Sequence, residues 1–367
     1  MTPVFQVLKI MTQYQKIVVK VGSNVLTGAD GSLNLKVIDH LVEQVGGLAN
    51  QGIQIVLVSS GAVAAGRGKF ALPAKTDQVS KRQLWSSMGQ IALMNAYSDR
   101  FQPLGLHCSQ VLVTREDFRD RTHYLNMKNC FQVMLQNQVI PIVNENDVIS
   151  ITELMFTDND ELAGLIASMV NSQALFILSN VEGIYDGDPG SGSVEVIKEV
   201  TAESADLSHL ISSGKSNFGR GGMITKYHLA RKVARSGIKV VIAKGTDDNI
   251  ITRLASGEQL GTHFLPSRKA SNLKKWLAHS HGFAKGNVMV NQGALDALKS
   301  REATSLLPIG VVQIEGDFKK GDLVNVVDEK RGMIGLGIAQ YNSAKARERQ
   351  GLKNQKALIH YDYLFLN

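Results

Sequence analysis

A lysine at the end of a β-branched apolar run, followed at once by a glycine turn, constrains this chain more than any other stretch. It is KIVVKVGSNVLTG, residues 16–28. Ile17, Val18 and Val19 read as a buried strand, with Gly22, Ser23 and Asn24 as the turn leaving its carboxyl end. Such a turn exposes backbone N–H groups to an anion, and Lys20 adds a positive charge beside them. The P-loop pattern GxxxxGK[ST] is absent, so a phosphate would be held by a different architecture. Standing alone, a lysine before a turn is more often a solvated strand end.

Up to about residue 265 strand-like and helix-like segments alternate. Leu35, Ile38, Leu41, Val42, Val45 and Leu48 recur at helical spacing, and Gly52 ends that helix. The strand IQIVLVSS leads into a helix opening at GAVAAGR, and the strands HCSQVLVT and QVIPIVNEND follow. DNDELAGLIASMV carries an N-cap signature and a helix, ALFILSNVEG a strand, TKYHLARKVARSG a helix and IKVVIAKG the final strand. Continuous apolar strands between helices predict a mainly parallel sheet covered on both faces, in which ligands gather at the carboxyl ends of strands. The polar groups that stand out sit at such ends: Lys20 to Gly22, Ser59 to Gly61, Asn144 to Asp147, and Ser179 with Asn180.

The chain has 367 residues, enough for two domains. Residues 267–367 hold 16 Lys and Arg against 9 Asp and Glu, the whole of the net charge of +7. That break predicts two units: an extension over 1–14 and an α/β domain over 15–265, then a connection over 266–284 and a small β-rich module over 285–361. The basic module could meet RNA, although without a motif a plain basic surface is the simpler reading. No apolar run approaches bilayer length, and the first fifteen residues lack the features of a signal peptide. With only Cys108 and Cys130 a disulfide framework is implausible, which fits a reducing cytoplasm; both cysteines read as small buried residues.

Four constellations could do chemistry. Lys20 with its glycine turn is the first. In SSGAVAAGR, Ser60 and the N–H groups after it could hold a carboxylate or phosphate, or form a plain helix cap. NEND (144–147) and DND (158–160) place amides and carboxylates behind one strand and at one helix start. Asn suits a zwitterionic amino acid, and Asp can pair with its ammonium or orient a lysine. FGRGGMITK (218–226) allows close backbone approach to phosphates and ends in Lys226. Two lysines without a carboxylate metal cage suit phosphoryl transfer, where positioning and charge neutralisation dominate. No metal ligand stands out: the nine histidines show no HExxH spacing.

In order, VVKVGSNVLTG, VLVSSGAVAAGR, PIVNENDVI, FTDNDELAGLIA and GRGGMITK resemble the amino acid kinase family. The resemblance implies a three-layer αβα sandwich. NQGALDAL, SLLPIGVVQIEGDFKKGD and GIAQYNS resemble a PUA domain. The family likeness further implies ATP and Mg²⁺, with phosphorylation of the L-glutamate side-chain carboxylate to glutamyl 5-phosphate at the start of proline biosynthesis. Lys20 and Lys226 would flank the transferred phosphoryl, with Asp158 organising both. Ser60, Asp147 and Asn159, with Asn144 beside them, match substrate-binding positions. Ser179, Asn180, Arg220, Gly221, Gly222, Met223, Ile224, Thr225 and the two lysines match the ATP site, with no protein ligand for the metal. Many members carry Thr-Asp in place of Ser179–Asn180, and Thr in place of Arg220. The resemblance also implies L-proline as feedback inhibitor, a homo-oligomer, and coupling to glutamyl phosphate reductase, the next enzyme of the route. Two rival readings stand beside it. One is an acetylglutamate kinase-like enzyme; the other is an RNA-binding regulator built on a kinase scaffold.

Overall fold

The computed structural model describes residues 12–28, 31–150, 155–156, 158–187, 194–208, 211, 222–267, 284–300 and 304–366. Most of the N-terminal extension, Arg220, Gly221 and nearly all of the 266–284 connection lie outside them. The chain divides into two compact units, residues 1–115 with 128–269, and residues 116–127 with 270–367.

The first unit is built on an eight-stranded sheet: β1 (Lys16–Val21), β2 (Gln54–Ser59), β3 (His107–Val113), β4 (Val139–Glu145), β5 (Ala174–Ser179), β6 (Glu199–Val200), β7 (Lys239–Lys244) and β8 (Thr262–Phe264). Their order is β3-β4-β2-β1-β5-β7-β8-β6, and every neighbouring pair is parallel except β7 with β8. The sequence expectation ended the sheet at β7. Strands of two and three residues, β6 and β8, are too short to show a pattern, yet they extend its edge.

The helices up to residue 256 are α1 (Ser23–Leu26), α2 (Leu35–Ala49), α3 (Ala62–Arg67), α4 (Gln78–Phe101), α5 (Arg115–Arg119), α6 (Arg121–Gln136), α7 (Asn159–Met169), α8 (Met223–Arg235) and α9 (Ile250–Ser256), of which most of α5 and the start of α6 fall in the second unit. The apolar stripe expected on α2 is buried from Ile38 to Leu48, while Leu35, at the first turn, is exposed. Side chains of a strand alternate between faces. Ile17, Val19 and Val21 of β1 therefore share a core with α2, α4 and α9. Val18 and Lys20 fall on the opposite face, where α7 packs on β1 and Asp160 meets Lys20. Helices on both faces make the three layers that the family likeness implied. Cys108 is half-buried and Cys130, on the outward side of α6, is exposed; the buried reading of both was too simple.

α4 was not legible in the sequence. Its buried stripe includes Ser86, Gly89 and Gln90 as well as Leu93, Tyr97 and Phe101, so apolar periodicity is weak. It is nevertheless locked to the sheet by a buried hydrogen bond of 2.9 Å between Tyr97 and Ser59 at the end of β2. Burial raises the Tyr97 phenol to about 12, so it stays neutral there. α3 lies so close to α4 that a Cβ on Gly89 would sit 1.7 Å from the Ala62 carbonyl oxygen, and one on Gly66 would sit 1.8 Å from that of Trp85.

The second unit carries a five-stranded sheet in the order β10-β9-β11-β12-β13. The strands are β9 (Gly286–Val290), β10 (Val311–Gly316), β11 (Leu323–Val327), β12 (Met333–Ile338) and β13 (Leu364–Leu366), with helices α10 (Gln292–Lys299) and α11 (Ser343–Arg349). β9 and β11 run parallel and the other pairs antiparallel. Val288, Val290, Leu295, Val324, Val326 and Ile359 form its own core.

The α3–α4 contact yields a prediction. Gly89→Ala drives a methyl into a backbone carbonyl, and overpacking of this kind costs about 1–3 kcal/mol. In a unit of this size each kcal/mol is worth about 2–4 °C, so the melting temperature should fall by several degrees. Thermal denaturation followed by circular dichroism measures it, and an unchanged midpoint would show that α3 can retreat freely.

Candidate active site

Four adjacent strands, β4, β2, β1 and β5, end side by side, and their exits open onto one cavity of about 660 Å³. Lys20, Ser60, Asn144, Asp147, Asp158, Asn159, Ser179, Asn180 and Lys226, all proposed from sequence, line it. Gly222 is the N-cap of α8 and Met223, Ile224 and Thr225 its first turn, but of that run Lys226 alone lines the cavity. Arg220 and Gly221 lie outside the described residues.

Lys20 is the last residue of β1 on the α7 side of the sheet. Its ammonium meets Asp160 Oδ1 at 2.6 Å, and Lys226 from α8 meets Asp160 Oδ2 at 2.9 Å. The Asp160 side chain is 1% exposed, those of Lys20 and Lys226 7% and 13%. Burial pushes the Asp160 carboxyl up, but the two ammoniums outweigh it and hold it below the usual carboxylate range. Burial works against the charged form of Lys226 as well, and Asp160 reverses this, leaving its pKa above that of a free lysine. Removing charges from water costs several kcal/mol per ion, so the cluster exists only because its partners are fixed in place. A Cβ on Gly22 would lie 3.3 Å from the Leu178 carbonyl oxygen, so this turn packs tightly on β5.

The sequence reading gave the role of joining the lysines to Asp158, and the structure gives it to Asp160. Asp158 is the N-cap of α7, with extended backbone at φ −162° and ψ 175°. Its Oδ1 accepts from the N–H groups of Asp160 and Glu161, each at 3.0 Å. A capping side chain turns back on its own helix. Asp158 feels both ammoniums, but the ion pairs at 2.6 and 2.9 Å are made by Asp160. Asp158 still borders the cavity, with its pKa raised by burial and by the neighbouring Asp160.

Across the cavity, Asn159 Nδ2 donates to Ser60 Oγ at 2.9 Å and to Asn144 Oδ1 at 3.0 Å, and Asn144 Nδ2 donates to Gln90 Oε1 at 3.1 Å. Three residues picked from separate motifs thus form one amide-hydroxyl network. Beyond it lies a charged group with two members that sequence reasoning passed over. Arg82 of α4 bonds Glu145 Oε2 at 2.8 Å through Nη2, and the same nitrogen bonds Asp147 Oδ1. Both carboxylates are buried. Burial and the nearby Asp147 raise Glu145 to about 7; burial also raises Asp147, against the pull of Arg82. Glu145 was visible inside NEND, whereas nothing local marks Arg82. Its partners lie more than sixty residues away along the chain.

Such a cavity can hold an anion between two ammoniums at one part and polar, acid-rich groups at another. Comparison with known proteins agrees. Residues 15–244 match the amino acid kinase family and residues 286–360 the PUA domain. The glutamate 5-kinase of Bacteroides thetaiotaomicron is 50% identical over 357 residues, covering 96% of this chain and 99% of the relative. That of Chlorobaculum tepidum is 48% identical over 354 residues, covering 96% and 98%. A Thermoanaerobacter glutamate 5-kinase is 39% identical over 352 residues, covering 95% and 94%. With a sheet of this topology, a family match over most of its first unit and such identity along nearly its whole length, the chain belongs to the amino acid kinase family.

Proposed function

We propose that this protein transfers the terminal phosphoryl group of MgATP to the side-chain carboxylate of L-glutamate, giving glutamyl 5-phosphate and ADP. The observation that carries this reading is Asp160 held between Lys20 and Lys226 in a cavity that also contains the Ser60–Asn159–Asn144 network. The relatives named glutamate 5-kinase supply the acceptor. Two ammoniums held by Asp160 at the cavity wall counter the charge spread over the transferring phosphoryl oxygens. The attacking carboxylate is already ionised at neutral pH, so no general base is required. Ser60 Oγ accepts from Asn159, which leaves its own O–H to donate to a substrate carboxylate. Ser179 and Asn180 at the end of β5 offer polar contacts to the nucleotide. Mg²⁺ arrives with ATP, held by phosphate oxygens and water. L-Proline carries the same α-carboxylate and a ring ammonium, so it competes for the substrate's place.

The purified protein should release ADP only with L-glutamate, ATP and Mg²⁺ together, and hydroxylamine should trap the γ-hydroxamate. Equal turnover of N-acetylglutamate would move the assignment to another acceptor. Saturating proline should depress the rate at low glutamate; a rate indifferent to proline removes competition and leaves the reaction.

Lys20→Ala or Lys226→Ala should lower kcat by about 10²–10³, as loss of one donor to developing charge does. Asp160→Asn should do the same and also lose stability, because breaking a buried ion pair costs about 3–5 kcal/mol. Asp158→Asn retains a good helix cap and should lose far less stability. Urea denaturation of the two aspartate variants ranks them, and equal losses would contradict the bridging role of Asp160.

A further inference from the structure

We infer that Arg82 and Glu145 are positioning residues that set the charge and orientation of Asp147, making this end of the cavity a receptor for a free α-ammonium group. The inference rests on the proposed phosphorylation of an amino acid.

α4 presents Arg82, Ser86 and Gln90 at four-residue intervals, one stripe of the helix. Arg82 joins Glu145 and Asp147, Ser86 bonds Asp147, and Gln90 accepts from Asn144. The next residue along from Arg82, Gln83, donates to the Val148 carbonyl at 2.6 Å. One helix therefore holds Asn144, Glu145, Asp147 and Val148 at the exit of β4. Two carboxylates against one guanidinium leave a single negative charge when both are ionised. Asp147 spends one oxygen on Arg82, and a carboxylate has about four lone-pair sites, so room for a cationic donor remains. A neutral N-acyl group would bring no charge to balance the excess and would strand it in a buried site.

Glu145 gives this receptor its pH dependence. Raised to about 7, it takes up a proton as the medium acidifies. The cluster then becomes neutral and its attraction for an ammonium falls. Glu145 also accepts from the Phe156 N–H at 2.9 Å, so its place is fixed in either state. The other charged groups lining the cavity are Lys20 of β1, Arg67 of α3, Asp158 and Asp160 at the start of α7, and Lys226 of α8.

The test is the pH profile of kcat/KM for L-glutamate at saturating ATP, which reports groups of the free enzyme. Wild-type protein should lose kcat/KM on the acid side with a midpoint near 7. Arg82→Gln removes the cation that lowers both carboxyls, so that limb should move up by about 1–3 pH units. The KM for glutamate should rise about tenfold or more, the worth of a hydrogen bond to a charged group, with the KM for ATP unchanged. Arg82→Lys should restore the limb toward its wild-type position. Glu145→Gln, nearly isosteric, should abolish it. An acid limb that stays in place in Arg82→Gln, or a KM for ATP that rises equally, overturns the inference, for that is what a merely structural loss gives. If the Arg82 variants do not fold, a folded Glu145→Gln protein with the wild-type limb overturns it as well. Absence of glutamate turnover in the wild type at every pH removes the functional reading and this inference with it. Normal turnover with unshifted limbs removes this inference alone.

Discussion

Everything in the first unit that can do chemistry depends on one carboxylate shared by two lysines. Asp160 is buried to 1% exposure and forms ion pairs with both Lys20 and Lys226, whose own side chains are largely buried. Three elements must meet for this: the end of β1, the first turn of α7 and the first turn of α8. Gly164 of α7 faces Val233 and Leu229 of α8, where a Cβ would stand 3.0–3.1 Å from their side chains. The two helices therefore approach closely enough to bring Lys226 to Asp160. The packing of the outer layer and the electrostatics of the site are one constraint seen from two sides. Low exposure is what makes the remaining charge strong, since water would screen it.

The opposite end of the cavity is organised by other means. Among the described residues no strand there offers a lysine; a helix lies alongside the exit of β4 and reads it with polar side chains. That helix is anchored by the Tyr97–Ser59 bond and by the glycine contacts with α3. Its polar stripe is thus held at fixed height relative to β2 and β4. The same rigid placement explains why Gln90 can fix the Asn144 amide while Arg82 satisfies two carboxylates.

How far the sequence revealed this depends on where each signal resides. Strands β1, β2, β4, β5 and β7 were legible because both faces are covered and they read as continuous apolar runs. Lys20, Ser60, Asn144 and Asn159 were legible because they sit at strand ends or a helix start, where local pattern and position coincide. The choice between Asp158 and Asp160 was not, because it turns on a helical rotation that DND alone leaves undetermined. α4 was missed because its buried face is built partly from Ser86, Gly89 and Gln90, which carry no apolar period. Arg82 was missed with it, since its role exists only through partners distant in sequence. The short edge strands β6 and β8 were below the length at which periodicity speaks.

The strand order then gives the cavity a direction. β4, whose exit carries Glu145 and Asp147, lies on one side; β1 and β5, whose exits carry Lys20 and Ser179, lie on the other, with Ser60 after β2 between them. Acidic groups with one guanidinium therefore occupy one end of this row, and two ammoniums, joined by Asp160 and with Asp158 beside them, the other. An amino acid with a second carboxylate has the matching polarity, ammonium at one end and side-chain anion at the other. Turned around, it would set its side-chain carboxylate against two acids, a repulsive contact. The parallel sheet does more than collect polar residues at strand ends. By fixing which exits are neighbours, it sets the two lysines at one end of the row and the Arg82 cluster at the other.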